Sequence, residues 1–250
     1  MINSKITFDI YSDGPKKFIK KFILKPSSRG YFCVLASHGF SLSLINERFN
    51  SALNDSIVNV PDGKPIALYA SFKYKKNVPR MYGPDLMVSI LEELNKFKGK
   101  KVFFVGGNRL LKKLIISKTK TLFKNVIVSG FDTRIININK TSNLLISKIN
   151  KNNPDIVFVG IGCPKQELWM SHNYKKINSL LIGVGAAFDF YAGNKKQAPI
   201  WIQNLYLEWL FRLFQEPKRL FSRYLTYNSI FVFHCCCMAI KFLCNKVCKK

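Results

Sequence analysis

Residues 155–170 read DIVFVGIGCPKQELWM and combine the pattern of a buried strand with a polar segment directly after it. The run from Ile156 to Ile161 is apolar and rich in β-branched residues, which is typical of a strand buried on both faces of a parallel sheet. Gly162 and Pro164 are expected to end this strand and turn the chain. Because ligands of open α/β sheets bind outside the carboxyl ends of the strands, the stretch predicts both a fold class and a binding site.

The same strand pattern recurs along the chain and alternates with helical periodicity. Further strands are predicted at residues 5–10 and 31–36, in SIVNV before Pro61, in KKVFFVGGN, in NVIVSGFD and in SLLIGVG. Helices are predicted for the lysine-rich segment between the first two strands, for residues 39–53, after the 61–63 turn, for GPDLMVSILEELNKF, after Gly107 and for residues 143–152. The alternation predicts an α/β protein with a Rossmann-like, mostly parallel sheet and helices on both faces.

The C-terminal segment differs in character from the rest of the chain. Residues 1–195 carry the α/β pattern, whereas residues 196–250 are basic, aromatic and helical in period. If the segment formed one helix, Arg212, Arg219 and Arg223 would project within ~40° of one another. We therefore predict an α/β domain over residues 1–195 and a helical, membrane-associating appendage over residues 196–250.

Within the appendage, Pro217 is expected to start a second helix. The apolar end, IFVFHCCCMAIKFLC, is interrupted by Lys241 and is shorter than the ~20 residues that a bilayer span requires. An interfacial anchor fits this pattern better, with four lysines facing anionic lipid: Lys241, Lys246, Lys249 and Lys250. The alternative is an ordinary packed helix or a dimer seam, so self-association into a homo-oligomer stays open.

The charge balance indicates a polyanionic partner. Lys and Arg number 40 against 14 Asp and Glu, which gives a formal net charge of +26. Nucleic acid, an anionic membrane surface and a phosphorylated small molecule all fit this surplus. Part of it can instead reflect a biased genome, because AT-rich codons encode Lys, Asn and Ile. The 48% apolar and 14% aromatic content excludes a disordered chain.

The seven cysteines do not follow a metal-site or disulfide pattern. Five of them crowd the C-terminal tail, where the spacing is unlike that of zinc sites. The N-terminus lacks the apolar core of a secretory signal, so a reducing cytoplasm is expected. No metal and no cofactor are predicted.

Six motifs in a fixed order carry a family resemblance. They are LNDSIVNVPDGKPIALYA, RMYGPDLM, VFFVGG, VFVGIGCPKQELWM, GVGAAFDFYAG and AP.W.Q...LEWLFRLFQEPKRL. Over about residues 31–225 the chain resembles the WecG/TagA/CpsF family of glycosyltransferases, glycosyltransferase family 26. An ordered set of six motifs is far more specific than a single glycine-rich loop.

The resemblance implies a bacterial, inverting, metal-independent transferase. Such an enzyme moves an N-acetylmannosamine-type sugar or a related hexose from a UDP donor to a polyprenyl-pyrophosphate-linked sugar, in teichoic acid or surface polysaccharide synthesis. The same resemblance implies a peripheral protein on the cytoplasmic face of the membrane, attached to the anionic surface partly through its appendage.

Asp62 is the candidate catalytic base. It lies in the Pro61-Asp62-Gly63 turn after a strand, and it matches the family residue taken to be the base. An inverting displacement needs one group that removes the proton of the attacking hydroxyl. The alternative is a structural turn aspartate, which the residues alone favour.

Backbone amides and arginines are the candidates for binding the diphosphate. Gly106 and Gly107 open a helix, a position suited to pyrophosphate. Guanidinium groups bind phosphate oxygens in pairs, and the candidates are Arg80, Arg212, Arg219 and Arg223. Pairing of Arg212 with Glu208 and Glu216, four residues away on either side, is the alternative role. The resemblance adds Gly63, Gly83 and Asp85 to the substrate-binding set, and we assign the catalytic roles to Asp62, Arg212 and Arg219.

The polar segment after the opening strand is predicted to bind the donor sugar or uridine. Its residues are Gly162, Pro164, Lys165, Gln166 and Glu167, with Trp169 packed beneath them. The alternative is the polar first turn of an ordinary helix. At the end of the next strand, Gly185, Phe188 and Asp189 are further candidates, and Asp189 either binds substrate or supports its loop.

His38 is the remaining candidate, in the sequence LASHGF. Many relatives carry asparagine close to this position, whereas Ala36 and Ser37 occupy it here, and His38 can replace the missing hydrogen bond. Its alternative role is structural.

Two other classes of protein are weighed against this interpretation. A basic nucleic-acid-binding protein would explain the charge and the aromatic content, but no reader motif is present. A dinucleotide-dependent oxidoreductase would need the full G-x-G-x-x-G spacing, which VGGN lacks.

Overall fold

Six apolar segments form one parallel sheet in the computed structural model, which describes residues 6–24, 29–133 and 143–247. The strands are Gly30–Leu35 (β1), Val58–Pro61 (β2), Lys101–Gly106 (β3), Ile127–Asp132 (β4), Ile156–Gly160 (β5) and Leu180–Gly183 (β6). Their order is β2-β1-β6-β5-β3-β4, and every neighbouring pair is parallel. The predicted fold class is confirmed.

Helices connect the strands and continue after the last one. In the described ranges they are Pro15–Phe18 (α1), Ser37–Ile45 (α2), Glu47–Asn54 (α3), Lys64–Tyr74 (α4), Gly83–Leu94 (α5), Arg109–Leu122 (α6), Asn143–Asn152 (α7), Lys165–Asn173 (α8), Ala187–Tyr191 (α9), Ile200–Asn204 (α10), Glu208–Gln215 (α11) and Pro217–Val247 (α12). A π-helical segment, Ile19–Ile23, continues α1, and a 3-10 turn, Tyr174–Lys176, follows α8.

Each strand contributes alternate side chains to two separate hydrophobic layers. Phe104 and Phe158 belong to the layer beneath α1, α5, α6 and α9, while their neighbours Phe103 and Val157 belong to the other. This second layer also holds Trp169, which is fully buried as predicted. The period-2 alternation explains why strands covered on both faces are apolar throughout.

Two predicted elements differ from the structure. Residues 6–10 do not form a strand, because only Ile10 forms a bridge, to Asn59, before the chain turns at Gly14 into α1. Residue 5 lies outside the described residues. The helix predicted over residues 39–53 is two helices, since Asn46 leaves helical geometry and its side chain caps the second one.

The appendage helices lie against the sheet-bearing part of the chain. α12 packs across α2, where the Ser41 hydroxyl donates to the Tyr227 carbonyl at 2.6 Å and the Phe40 and Phe231 rings lie 5.2 Å apart. α11 ends before Glu216, and α12 begins at Pro217 as predicted. The boundary at residue 195 stays a prediction.

The helix from Pro217 to Phe242 is long and apolar enough to cross a membrane, with a mean hydropathy of 1.3. The apolar segment IFVFHCCCMAIKFLC alone was predicted to be too short for a bilayer span. The helix is longer than that segment because it runs without a break from Pro217 through it. One side of this helix is packed on the protein, against α2. Lys249 and Lys250 lie outside the described residues.

Candidate active site

A cleft of about 830 Å³ lies outside the carboxyl ends of β1, β2, β5 and β6, with α10, α11 and α12 on its other side. It occupies the sheet edge at which the sequence predicts ligand binding. The predicted site residues that line it are His38, Asp62, Gly63, Arg80, Gly83, Gly162, Pro164, Lys165, Gln166, Gly185, Arg212, Arg219 and Arg223. We call the side formed by the strand ends the body wall and the side formed by α10–α12 the appendage wall.

The cleft is strongly cationic. Its lining holds seven basic side chains, Lys64, Arg80, Lys165, Lys195, Arg212, Arg219 and Arg223, and three acidic ones, Asp62, Glu208 and Glu216. The helices α2, α4 and α8 also begin at the cleft without a side-chain cap. Uncapped helix starts present free amides and a positive dipole end, so the arrangement favours an anionic ligand.

Asp62 follows β2 directly and lies in the body wall. Its amide donates to the Leu35 carbonyl at 2.9 Å, and its Oδ1 accepts from the Gly83 amide at 3.1 Å, so the turn joins two strand ends to the start of α5. Burial raises the pKa of Asp62, while Arg212, the Gly83 amide and Arg80 act in the opposite direction. A carboxylate held in this way is suited to accept a proton.

A partly buried ion cluster joins the two walls beside Asp62. The Arg80 guanidinium lies 2.5 Å from Glu208 Oε2, and Arg212 Nη2 lies 3.5 Å from Glu208 Oε1. Arg212 also donates to the Tyr82 hydroxyl at 2.6 Å, and the Tyr82 ring lies 4.3 Å from the Arg80 guanidinium carbon. One appendage carboxylate therefore orients an arginine from each wall.

His38 and Arg223 form a second contact between the walls. Arg223 Nη2 lies 2.6 Å from His38 Nδ1, and a guanidinium only donates, so Nδ1 is the acceptor and the ring proton is on Nε2. Burial and the neighbouring Arg223 charge lower the pKa of His38 to about 3, so the ring is neutral. In this structure His38 serves to position Arg223.

Arg219 lies at the outer edge of the cleft and is about half exposed. It pairs with Glu216, three residues before it, and Glu216 also lies 3.0 Å from Lys195. The predicted alternative pairing of Arg212 is thus realised with Glu208, whereas Glu216 contacts Arg219 and Lys195. The break at Pro217 also means that the three predicted arginines belong to two helices, although all three line the cleft.

Gln166 holds two loops of the body wall together. Its Oε1 accepts from the Gly162 amide at 3.2 Å and from the Gly185 amide at 3.0 Å. Its Nε2 donates to Glu167 Oε1 at 2.9 Å. Because both ends of the amide are engaged in the protein, Gln166 acts here as a loop-positioning residue, and its contact with substrate stays a prediction.

Glu167 lies behind the body wall, not in it. The side chain is buried, and its Oε2 has no hydrogen-bond partner among the described residues. Burial raises the pKa of Glu167 to about 7, although Gln166 and Cys163 donate to the carboxylate. The predicted contact of Glu167 with a sugar or uridine is not supported by this position.

Three predicted residues lie beyond the cleft because of the strand order. Gly106 ends β3 and Gly107 follows it, and β3 lies on the far side of β5 from the cleft. Phe188 is 1% exposed and packs against Gly160 and Gly107, so it fills the space above these strand ends. The glycines permit close packing: a Cβ on Gly106 would lie 2.6 Å from the Gly160 carbonyl oxygen.

Asp85 and Asp189 also lie outside the lining. Asp85 is exposed in the first turn of α5, 3.4 Å from the Gln197 amide nitrogen. Asp189 accepts from the Asn194 side chain at 2.8 Å and lies 4.0 Å from Lys195. Of its two predicted roles, loop support matches these contacts.

Several lining residues were not predicted as site residues. They include Ser37, Tyr82, Lys195, Gln203, Glu208, Trp209, Tyr224 and Asn228. Glu208 was considered only as a helix-surface partner of Arg212. Its contact with Arg80, 128 positions earlier, leaves no signal in local spacing.

The fold and the cleft together define a class: an α/β protein with a carboxylate at a strand end facing an arginine-rich helical wall. The Glycosyl transferase WecG/TagA/CpsF family model matches residues 8–243, and the chain belongs to this family. It is 31% identical over 193 residues to the N-acetylglucosaminyldiphosphoundecaprenol N-acetyl-beta-D-mannosaminyltransferase of Bacillus subtilis (strain 168), covering 76% of this chain and 66% of that protein.

A second relative gives a similar match. The chain is 30% identical over 196 residues to the N-acetylglucosaminyldiphosphoundecaprenol N-acetyl-beta-D-mannosaminyltransferase of Bacillus spizizenii (strain ATCC 23059 / NRRL B-14472 / W23), covering 77% of this chain and 74% of that protein. The chain therefore spans about two thirds to three quarters of the length of these relatives.

Proposed function

We propose that this protein transfers an N-acetylmannosamine-type sugar from a UDP donor to a GlcNAc-diphosphate polyprenol, with inversion and without a metal. The relatives are named for that acceptor and that sugar. The observation that carries the proposal for this chain is Asp62 in the body wall, opposite three arginines of the appendage wall. Membership of the family does not favour the nucleic-acid-binding alternative.

Asp62 is the proposed base. The acceptor hydroxyl attacks the anomeric carbon of the donor while Asp62 takes its proton, and the bond from that carbon to the UDP oxygen breaks on the opposite face. Burial raises the pKa of Asp62, which makes its carboxylate a stronger base than an exposed one. The Gly83 amide holds Oδ1, so the direction of the carboxylate is set before substrate binds.

Arg212, Arg219 and Arg223 are the proposed partners of the leaving diphosphate. Negative charge grows on the UDP oxygen as the glycosidic bond breaks, and guanidinium groups stabilise it through paired hydrogen bonds. Arg212 and Arg223 are already oriented by Glu208 and His38 respectively. Such preorganisation favours the transition state because the groups do not have to reorganise during the reaction.

The proposed independence from metal rests on the groups that line the cleft. A divalent cation prefers several oxygen ligands. Here Glu208 pairs with Arg80 and Arg212, and Glu216 pairs with Arg219 and Lys195, so two of the three lining carboxylates are already neutralised. The basic side chains can take over the neutralisation of diphosphate.

A peripheral position at the cytoplasmic face of the membrane fits the appendage. Its exposed apolar side chains include Trp201 at 63%, Phe214 at 77% and Leu225 at 65%. Apolar and basic side chains together favour the interface of an anionic bilayer.

The test is product formation from a panel of UDP sugars with a GlcNAc-diphosphate polyprenol, with and without EDTA. We expect one donor to be used, the product anomer to be inverted, and the rate to survive EDTA. Binding of UDP without transfer from any donor would contradict the proposed reaction, and loss of the rate in EDTA would contradict metal independence.

A further inference from the structure

An exposed apolar seam begins at the cleft and runs between α4 and α12. Lys64 and Pro65, the first residues of α4, line the cleft, and Leu68 follows one turn later with 57% of its surface exposed. On α12, Val232 both lines the cleft and is 58% exposed. An exposed aliphatic side chain therefore lies at the cleft on α12, and another lies one turn beyond it on α4.

The two helices stay in contact away from the cleft. The Tyr69 ring lies 6.5 Å from Phe231 and 6.0 Å from His234, which forms the floor of the seam. Further on, Phe72 and Phe242 meet at a centroid distance of 5.3 Å while keeping 45% and 44% of their surfaces exposed. Apolar surface thus continues from the mouth of the cleft to this ring pair.

The path carries apolar and basic side chains but no acidic ones from its two helices. The cleft end has Lys64 and the arginines of the appendage wall, Lys73 and Lys241 adjoin Phe72 and Phe242, and the sequences of α4 and α12 contain no Asp or Glu. A ligand that matches the cationic cleft and the apolar seam has an anionic group joined directly to a long hydrocarbon. A diphosphate esterified to a polyprenol has this chemistry, and a soluble nucleotide sugar does not.

We propose that the seam between α4 and α12, flanked by Leu68 and Val232 and ending at Phe72 and Phe242, binds the first isoprenoid units of the lipid acceptor. This inference rests on the proposed function, since it assigns a subsite to its acceptor. The diphosphate lies in the cationic cleft, and the hydrocarbon leaves between α4 and α12. Continuity with the cleft distinguishes the seam from the other exposed apolar side chains of the appendage.

The experiment compares two acceptors in detergent, without a bilayer: GlcNAc diphosphate on a short, water-soluble alkyl group and on a long polyprenyl chain. In the double variant Leu68→Ser with Val232→Ser, we expect the KM for the polyprenyl acceptor to rise about tenfold, because apolar burial is lost at two positions. The KM for the short acceptor and for the donor should rise by a smaller factor, since Val232 lines the cleft as well as the seam. Both side chains are more than half exposed, so the fold should tolerate the change.

A single Phe72→Ser variant adds a dependence on chain length. Phe72 lies one helical turn, about 5.4 Å, beyond Leu68. Only acceptors long enough to reach it should lose affinity. The matched control for the Leu68 and Val232 double variant is the exposed pair on α6, Leu110→Ser with Leu114→Ser. It should leave the KM values for both acceptors unchanged because α6 does not line the cleft.

Four outcomes would overturn the proposal. Equal KM changes for both acceptors would mean that the seam shapes the cleft without holding the chain. Unchanged KM values combined with weaker binding to anionic vesicles would make it a general bilayer contact, and a change in oligomeric state without a KM effect would make it a contact between copies. Absence of transfer by the unmodified protein to either acceptor would reject the proposed function, and the subsite with it.

Discussion

The two walls of the cleft hold their polar groups by different means. In the body wall, Asp62 and Gln166 are fixed by backbone amides at the ends of the strands. In the appendage wall, Arg212 and Arg223 are fixed by side chains of distant residues in the body wall, Tyr82 and His38. Backbone contacts at strand ends form wherever the sheet forms, whereas the side-chain contacts exist only when the appendage is docked.

This difference suggests a division of labour between the walls. The body wall supplies a defined shape and one carboxylate, and the appendage wall supplies most of the arginine charge. Substitutions in the body wall should therefore act on the chemical step or on stability. Those in the appendage wall should act on diphosphate binding and on the pKa of Asp62. The following predictions test the comparison in order of their expected effect on the transfer rate.

Asp62→Asn should cause the largest loss, about a thousandfold in kcat, because the amide cannot accept the proton of the acceptor hydroxyl. UDP affinity and the unfolding transition should stay close to those of the unmodified protein. The rate with saturating substrates measures kcat, calorimetry measures UDP affinity, and thermal unfolding measures stability. A retained rate in a folded variant would remove Asp62 as the base and leave positioning as the main source of catalysis.

Arg212→Gln should lower kcat about a hundredfold, since one donor to the developing negative charge is lost. The loss of its charge also removes the largest influence that lowers the pKa of Asp62. The acidic limb of the pH–rate profile should therefore move to higher pH. Arg212→Lys keeps the charge without the planar fork and should recover the pH profile better than the rate. If the acidic limb of the Gln variant did not move, Arg212 would have no influence on the pKa of Asp62.

Glu208→Gln should shift the acidic limb in the opposite direction, to lower pH, with a loss of about fivefold in kcat as Asp62 becomes a weaker base. The reason is that the Glu208 carboxylate raises the pKa of Asp62, while Arg80 and Arg212, which it neutralises, lower it. Tyr82 and the Gly83 amide, the other groups around the carboxylate, are unchanged. The matched control is Glu216→Gln, whose partners are Arg219 and Lys195, and its acidic limb should stay in place.

Glu167→Gln should have the smallest effect on the rate, within about twofold, and a measurable effect on stability. Burial raises the pKa of Glu167 to about 7 from the usual 4.5, so the folded state holds a proton that the unfolded chain releases between these values. The unmodified protein should lose stability as pH rises from 4.5 to 7. The variant should be more stable by about 1–3 kcal/mol at pH 8 and nearly unchanged at pH 4.5.

Denaturant unfolding at the two pH values measures this difference. The same change at both values would show that the effect comes from packing and not from the ionised carboxylate. A large loss of kcat would contradict the assignment of Glu167 to a place behind the wall.

Much of the fold could be predicted because its determinants are local. The apolar runs around Phe103 and Phe158 indicate strands buried on both faces, and the turn at Asp62 follows from its Pro-Asp-Gly sequence. The failures also have local causes. Residues 6–10 alternate like a strand but form a single bridge, and Asn46 breaks a helical pattern that continues through it.

The candidate site was harder to predict at the level of roles. Gly106 and Gly107 have the features of a phosphate-binding turn, yet the strand order puts them beyond β5, beneath Phe188. Glu167 was grouped with its neighbours Lys165 and Gln166, but consecutive residues of a helix point in different directions, and α8 turns it toward the core.

The sequence by itself therefore determined most of the elements, the parallel sheet and the identity of Asp62 as a residue at a strand end. Only the tertiary structure decided which strand ends share the cleft and which arginines face Asp62. The contacts of Arg80 with Glu208 and of Arg223 with His38 join residues 128 and 185 positions apart. Periodicity and turn chemistry report on neighbours within a few residues, whereas such pairs depend on how α11 and α12 dock against the sheet.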